Sequence, residues 1–504
     1  MSRLTALLLL AIAAPAAEFH NGQAARLVIG QPSFSARDAG IAASSLVVSN
    51  GRLYATDTQH RLITFNVAKL PGSKNDLTLA QAPACGLCGF SPISVTVAPA
   101  VEGSPGVSIH DKTVVVADTP NHRVFIWRDT STGGPNQLPD VVLGQGFSER
   151  APISASTLIE PTSVAFDGKR LFVGDAALRR VLIWNSLPTG NNQPADVVLG
   201  QEDFVSVGQT DISTAENILR PAALASDGTN LFVSDVASRR ILVFTPGDVL
   251  LPKDAIVNAA SLVPGPLAPG TLVTITSPGL TENNASAPDD GTQALPTKLG
   301  GVEVIFNGVA LPLLLVSPTQ IRAQIPFESG KASSASIYVR SEHADGSITI
   351  TNATALKIVS ASPGLFAFGG PEPRSGLILH ADPTSPTHGG APVTSENPAK
   401  PGEVLIVWAA GLGKLSERDG VITLATGVPN ARSEAHVVTP VAALINGESA
   451  QVVSAGLPQG SIGIYEVRVL VPSDLSPDPK AQLLITQNGY VSNKITVPVQ
   501  SGTR

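Results

Sequence analysis

Four aspartate–arginine pairs at one spacing are the residues of this chain best placed to act together. Asp57 precedes Arg61, Asp118 precedes Arg123, Asp175 precedes Arg180 and Asp235 precedes Arg240, each by four or five positions. Repeated opposite charges could form a ring of charge for a ligand. They could equally cap the turn between two strands, because an aspartate side chain hydrogen-bonds the backbone of its own turn. The turn reading suits the flanking residues, and partly exposed pairs of this kind contribute only ~0–1 kcal/mol each. His60 and His122 stand beside two of the arginines and read as turn residues too.

Other chemistry-bearing residues are isolated. Cys85 and Cys88 form a Cys-Gly-Leu-Cys between Gln-Ala-Pro-Ala and Gly-Phe-Ser-Pro. Those flanks are loop chemistry, whereas a redox pair needs its first thiolate at a helix N-terminus. The expectation is a short loop disulfide, which restricts the unfolded chain little. Asp289-Asp290-Gly291 and Asp382 could help to hold calcium, which needs several converging oxygens, but acids in loops are usually solvated. Ser375-Gly376 and Gly411-Leu412-Gly413 lack the strand–helix context of a nucleophile elbow or a phosphate loop. Asn284-Ala-Ser and Asn352-Ala-Thr are formal glycosylation sequons.

The paired charges belong to a repeat. Leu53-Tyr-Ala-Thr-Asp57, Val114-Val-Val-Ala-Asp118, Leu171-Phe-Val-Gly-Asp175 and Leu231-Phe-Val-Ser-Asp235 recur at 57 to 61 residues. Each arginine then opens an apolar alternation ending in Phe65, Trp127, Trp184 or Phe244. A strand-like segment precedes each phrase: Ala43-Ser-Ser-Leu-Val-Val, Pro92-Ile-Ser-Val-Thr, Pro161-Thr-Ser-Val-Ala-Phe and Pro221-Ala-Ala-Leu-Ala-Ser. Asp167-Gly168 and Asp227-Gly228 supply tight-turn residues. An outer strand follows in three units, at Leu77–Gln81, Val141–Gln145 and Val197–Gln201, while Leu27-Val-Ile-Gly-Gln31 stands alone ahead of them all. Four short strands per unit is the content of a propeller blade. The spare strand 27–31 would complete the last blade and satisfy its open edge. The expectation is a four-bladed β-propeller over 24–248.

The phrase Val116-Ala-Asp118-Thr-Pro-Asn-His122-Arg123-Val124 resembles the signature of the NHL-repeat β-propellers. Arg179 and Arg239 stand where that signature has histidine. The resemblance implies a propeller fold and no single function, since such folds host many activities.

Beyond Ile256 the pattern becomes a Pro/Gly/Ser/Thr-rich alternation in two related halves. Ala268-Pro-Gly-Thr parallels Lys400-Pro-Gly-Glu, and Asn307-Gly308 parallels Asn446-Gly447 as a hairpin signal. About seven short strands per half predict two immunoglobulin-like β-sandwiches, over 254–362 and 363–500. The wording of this tail, such as Ile256-Val-Asn-Ala-Ala-Ser261, Ala323-Gln-Ile-Pro-Phe327 and Ser362-Pro-Gly-Leu-Phe366, resembles a C-terminal domain of exported acidobacterial proteins that has no established activity.

Composition narrows the function classes. Charged residues are 14% and aromatics 4%, with 46 Gly and 41 Pro, which fits an all-β chain and leaves few aromatic platforms for sugars. A diffuse net charge of −7 argues against a nucleic-acid partner. Arg3, the apolar run Leu4–Ala13 and Ala14-Pro15-Ala16 read as a signal peptide over 1–17. That predicts an exported protein, periplasmic or extracellular, with no stable membrane anchor after cleavage.

An enzyme of this shape would converge His, Asp or Glu from its innermost strands onto a metal in the central channel. Those strands offer small neutral side chains, with only Glu160 and Arg220 near the channel mouth. No catalytic, cofactor-binding or metal-ligating set is assigned, and no cofactor is expected. The leading reading is an exported, non-catalytic binding or scaffold protein, with blade loops 66–76, 129–139 and 185–195 engaging a protein or glycan. A metal-dependent propeller lyase or lactone hydrolase, or a purely structural surface component, are the alternatives.

Overall fold

Short β-branched and aromatic runs between glycine-rich turns give an all-β chain. In a computed structural model the only helical pieces among the described residues are brief 3-10 turns such as Thr119–Asn121 and Val236–Ser238. The structure describes residues 17–38, 40–57, 61–68, 70, 94–97, 106–131, 137–144, 152–208, 211–288, 291–381, 389–417, 420–422, 424–432 and 435–500.

The chain begins with β1 (Leu27–Ile29). Four antiparallel four-stranded sheets follow the repeats. The first holds β2 (Ala43–Ser49), β3 (Arg52–Asp57), β4 (Arg61–Asn66) and β5 (Ser94–Val97). The second holds β6 (Val107–His110), β7 (Thr113–Asp118), β8 (Arg123–Trp127) and β9 (Val141–Leu143). In the third are β10 (Pro161–Phe166), β11 (Leu171–Asp175), β12 (Arg180–Trp184) and β13 (Val197–Leu199). The fourth has β14 (Pro221–Ser226), β15 (Leu231–Asp235) and β16 (Arg240–Phe244), with β1 as its outer strand. Val28 of β1 lies opposite Leu242 of β16.

The inner strands β2, β10 and β14 slip register at the same place, at Ala43/Ser45, Pro161/Ser163 and Pro221/Ala223. In the last two the proline has no N–H to give the ladder, which makes a break there cheap. The sheets stand side by side. Thr119 Oγ1 donates to the Pro161 carbonyl at 2.6 Å, linking second to third. Thr162 Oγ1 donates to Pro221 O at 2.9 Å, linking third to fourth, and Ser234 Oγ donates to Ala43 O at 2.7 Å, linking fourth to first. Strands β11, β12, β15 and β16 are buried along their whole length, as expected for strands covered on both faces.

The first unit differs from its expected layout. Ser94–Val97, placed by sequence on the innermost strand of the second unit, pairs with β4 on the outer edge of the first sheet. The inner strand of the second sheet is Val107–His110, joined to β7 through Asp111 at φ 51°. Spacing is the physical reason: Pro161 and Pro221 stand ten residues ahead of Leu171 and Leu231, a hairpin's length, whereas Pro92 stands twenty-two ahead of Val114. The expected strand Leu77–Gln81 lies outside the described residues, as do the signal segment 1–16 and Cys85 and Cys88.

In the tail, two facing sheets enclose one apolar core. One runs Ile256–Asn258, Leu272–Ile275, Ile321–Gln324, Leu313–Val316, Ala285–Ser286, and the other is built on Val302–Phe306 and Ser334–Glu342. From Gly364 to Val499 the layers are one hydrogen-bonded sheet, not two separate ones. Its long strand Glu448–Gly456 pairs first with Ala442–Ile445, then from Gln451 onward with Tyr465–Leu470, a ladder whose register shifts at Val452/Ser454. A strand that bulges can turn the corner between layers, so the sheet curls around its core. Asn307-Gly308 and Asn446-Gly447 both carry positive φ, 51° and 82°, then 52° and 86°, as a type I′ hairpin turn requires.

The four-sheet unit is fastened to the tail. Ala24 N–H donates to Ala353 O at 3.1 Å and Asp248 N–H to Ile350 O at 2.7 Å. The Arg26 guanidinium lies 4.8 Å from the centre of the Tyr338 ring, and Phe19, Phe172, Ile305 and Tyr338 share one buried cluster.

Candidate functional site

The aspartate–arginine pairs are not alike. Asp118 and Arg123 meet at 2.7 Å with side chains 20% and 34% exposed, as the sequence suggests. Asp235 and Arg240 meet at 3.0 Å with both side chains fully buried, and Asp175 and Arg180 are buried as well. Asp57 is buried, while the Arg61 side chain and His60 lie outside the described residues. The expectation of partly exposed pairs therefore fails in the third and fourth units. The links between units cover them there, and the arginines bond the backbone of those links.

Arg240 donates through one terminal nitrogen to Phe34 O at 2.6 Å and Thr214 O at 2.8 Å, and through the other to Asn217 O at 2.8 Å. Arg180 does the same with Phe204 O at 2.6 Å and Thr157 O at 2.7 Å. Asp175 accepts from the N–H groups of Ile159 and Glu160 at 3.0 and 2.9 Å, and Asp235 from Leu219 and Arg220 at 3.2 and 3.0 Å. Burial pushes the Asp175 carboxyl above its ordinary value, against the pull of those backbone donors. Burial also lowers the Arg180 and Arg240 guanidinium values. Charges this well supplied with hydrogen bonds organise the links between sheets.

A second repeated device sits at the next position. His122, Arg179 and Arg239 all hold the left-handed conformation, at φ 57°, 52° and 51°. Histidine and arginine thus do one backbone job in three units, and the His122 imidazole Nδ1 bonds Ile159 O. Gly200, at φ 88°, passes so close that a Cβ on it would meet Arg179 O at 2.8 Å. Gln201 then donates from Nε2 to Leu178 O and Arg179 O at 3.2 and 3.3 Å.

These turns form one face of the four-sheet unit, and a recess of about 490 Å³ opens on it between the third and fourth sheets. Arg37, Arg179, Asp211 and Arg220 line it, over Ala176, Ala177, Ala237 and Leu219. The three arginines come from three segments: the 31–42 link, the turn before β12, and the link into β14. Arg179 meets Asp211 at 3.3 Å, Arg220 meets Glu160 at 2.8 Å, and Arg37 Nε donates to Ser213 Oγ at 3.0 Å. Glu160, the one carboxylate expected near the channel mouth, is therefore held by a guanidinium. Nothing in the sequence marked Arg37, Arg179 and Arg220 as a set, because they converge only once the links have folded.

The 185–195 loop also bonds its neighbouring sheet. Within 185–195, Asn191 Oδ1 accepts from Val142 N–H at 2.8 Å and Asn192 N–H donates to Val142 O at 2.9 Å. The loop caps the open edge of β9 and is spent on the fold. Asn21 Oδ1 and Gly22 N–H make the same pair of bonds with Val198 of β13, both at 3.0 Å. Most of 66–76 and the centre of 129–139 lie outside the described residues.

A larger cleft, about 680 Å³, lies where the 32–38 link, the first tail unit and Ala425-Thr426 meet. Its walls include Pro32, Phe306, Leu311 and Pro312, with Glu328 and Lys331 at the rim. It is a joint between units, and Thr426 Oγ1 already donates to Glu328 there at 2.6 Å. The smaller recess carries the converging charge and is the better site.

One further cluster has the order of a catalytic relay. Glu282 Oε2 lies 2.7 Å from His343 Nδ1, and His343 Nε2 lies 2.8 Å from Thr349 Oγ1. Glu282 also accepts from Ala344 N–H at 3.0 Å, and His343 N–H bonds Ser347 O at 2.9 Å. These bonds close the turn of one hairpin, so the cluster is a clasp. The hydrogen bond from His343 and the Ala344 N–H hold the Glu282 carboxyl below its usual range.

The remaining sequence candidates have local roles or fall outside the description. Gly411 passes so near Ser362 that a Cβ would sit 2.1 Å from its carbonyl oxygen, a close backbone approach. Asn352 is buried and accepts from Leu251 N–H at 2.6 Å, which removes it as a glycosylation acceptor. Asp289, Asp290 and Asp382 lie outside the described residues. Among the described residues no group of three or more His, Cys, Asp or Glu is placed to share a metal ion, and no helix is long and apolar enough to cross a membrane.

No protein-family model matches the chain, and no curated protein matches its sequence. Solved structures give loose similarities. A Bacteroides ovatus mixed-linkage glucan utilization locus protein, SGBP-B, solved with a mixed-linkage heptasaccharide, is 12% identical over 45% of this chain and 45% of its own, at a TM-score of 0.14. Fibronectin(III)-like modules of Clostridium thermocellum CbhA are 15% identical over 49% of this chain and 97% of theirs, at 0.14. The BSP domain of a biofilm associated protein is 11% identical over 46% of this chain and 28% of its own, at 0.17. The chain spans less than half the length of the first of these. At such TM-scores none of the three informs the site.

Proposed function

We propose that this is an exported, non-catalytic binding protein whose ligand, a glycan, sits on the turn face of the four-sheet unit. In this reading residues 24–248 form a four-bladed propeller, and 254–362 and 363–500 form two immunoglobulin-like modules that carry it. The observation that supports it is the recess where Arg37, Arg179 and Arg220 converge from three separate segments. Its volume lies within the ~300–1,000 Å³ of small-ligand sites. The fastening of the unit to the tail, through Ala24, Asp248 and Tyr338, suits a carrier that presents this face in a set orientation.

A thermal-shift screen of the full chain against a panel of glycans and divalent metals tests the proposal. A glycan at ~100 times its Kd stabilises the native state by ~2.7 kcal/mol. A shift with glycans that is lost on changing the recess supports the reading. A shift with a metal alone, lost in Glu160→Gln, replaces it with the metal-dependent alternative.

A further inference from the structure

We infer that the recess selects an acidic saccharide, one bearing carboxylate or sulfate groups; this rests on the glycan-binding reading above. Three guanidinium groups and one carboxylate line the recess, and the second nearby carboxylate, Glu160, is paired with Arg220. The recess thus carries one positive charge in surplus, on a chain whose net charge is −7. A planar guanidinium matches carboxylate and sulfate oxygens with two parallel N–H donors, a geometry a neutral hydroxyl does not use.

The groups are presented for exchange. Arg220 is 52% exposed, and Asp211, the partner of Arg179, is 80% exposed. In each pair the other member, Arg179 or Glu160, is about one-third exposed, so an acidic ligand can reach both guanidinium groups and displace their carboxylates. Arg37 is fixed by its bond to Ser213 Oγ, and the backbone under Arg179 is held by Gln201. The Arg37 donor is thus preorganised, which reduces the ordering cost of binding. The floor of alanines leaves room for a sugar ring to approach the charges.

The test is binding of the full chain, by calorimetry, to oligogalacturonate as the carboxylated probe, heparin-derived oligosaccharide as the sulfated probe and cello-oligosaccharide as the neutral probe. The expected result is at least tenfold tighter binding of an acidic probe than of the neutral one. That preference weakens as salt rises from 0.1 M to 1 M and the screening length falls from about 10 Å to about 3 Å. Whichever acidic arm binds more tightly identifies the group. Arg179→Gln with Arg220→Gln should abolish the preference and leave the melting temperature within about a degree of wild type. Equal binding of neutral and acidic probes, or an unchanged preference in the double variant, overturns the inference while the glycan reading stands. Failure of all three probes overturns the glycan reading itself.

Discussion

Gln31 donates from Nε2 to the carbonyl of Arg239, 208 residues later in the chain, at 3.1 Å. Gln201 makes the same bond to Arg179, only 22 residues away, at 3.3 Å. One interaction is local in the third unit and spans the whole repeat region in the fourth. Gln31 also donates to Asp38 O at 2.9 Å and accepts from Asp38 N–H at 3.1 Å. Replacing Gln31 by Ala removes its bonds to these partly buried backbone groups, and the expected loss is ~1 kcal/mol by urea denaturation. A loss within a few tenths would show that the contact is dispensable.

The two kinds of aspartate–arginine pair predict unequal costs for one substitution. Asp235→Ala strands a fully buried guanidinium and should cost ~3–5 kcal/mol, whereas Asp118→Ala removes a partly exposed partner and should cost ~0–1 kcal/mol. Equal losses in the two melts would contradict the burial difference. Replacing both Asp235 and Arg240 with apolar residues of similar volume should recover part of the loss.

Trp184 is 1% exposed and donates from Nε1 to Gln193 O at 3.0 Å. Trp127 makes the equivalent bond to Gln137 O at 3.0 Å but is only half-buried. Trp184→Ala should cost ~3–5 kcal/mol, with a smaller loss for Trp127→Ala. In neither variant should glycan binding change at a temperature where the protein remains folded.

Glu282 and Asp175 shift in opposite senses, so they respond to pH differently. The Glu282 carboxyl is lowered, so the clasp is fully present above the ordinary glutamate value of about 4.3 and is lost as pH falls through its lower folded value. Asp175 is raised, so its contribution is present below about 3.9 and is lost as pH rises through its folded value. Hydrogen exchange of the 343–349 hairpin should distinguish wild type from Glu282→Gln at pH 7 and cease to do so in acid. A difference that persists below the carboxylate range would show that the clasp does not depend on the Glu282 charge.

Much of this was readable where a repeat exposes itself. The spare Leu27–Gln31 pointed to the fourth sheet because the segments 141–145 and 197–201 carry the same Gly-Gln ending. More was present than was read. Asn21-Gly-Gln23 aligns with Asn191-Asn-Gln193, and Gln31-Pro-Ser-Phe34 aligns with Gln201-Glu-Asp-Phe204. The folded pairs match: Asn21 and Asn191 both cap outer strands, and Phe34 and Phe204 both accept from a buried arginine. Burial of Asp235 and Arg240 was not legible, since the carbonyls that Arg240 bonds come from links far apart in the sequence. Arg179 and Arg220 stood in or beside the repeat phrase and Arg37 outside it, and only folding brings the three together. Pro92 misled because an alternating Ser-Val-Thr-Val suits an outer strand as well as an inner one.

Completing the last sheet with β1 also sets a timetable. During synthesis Leu27 to Ile29 precede Ile241 to Val243 and have no strand partner until those residues have followed them. Closing a loop of this size costs only modestly more entropy than closing a short one, but it makes the decisive contact a remote one and therefore slow. The nascent chain thus carries its own delay, staying open until the whole repeat region has been made. Joining residue 248 to residue 17 and opening the chain elsewhere would remove that wait.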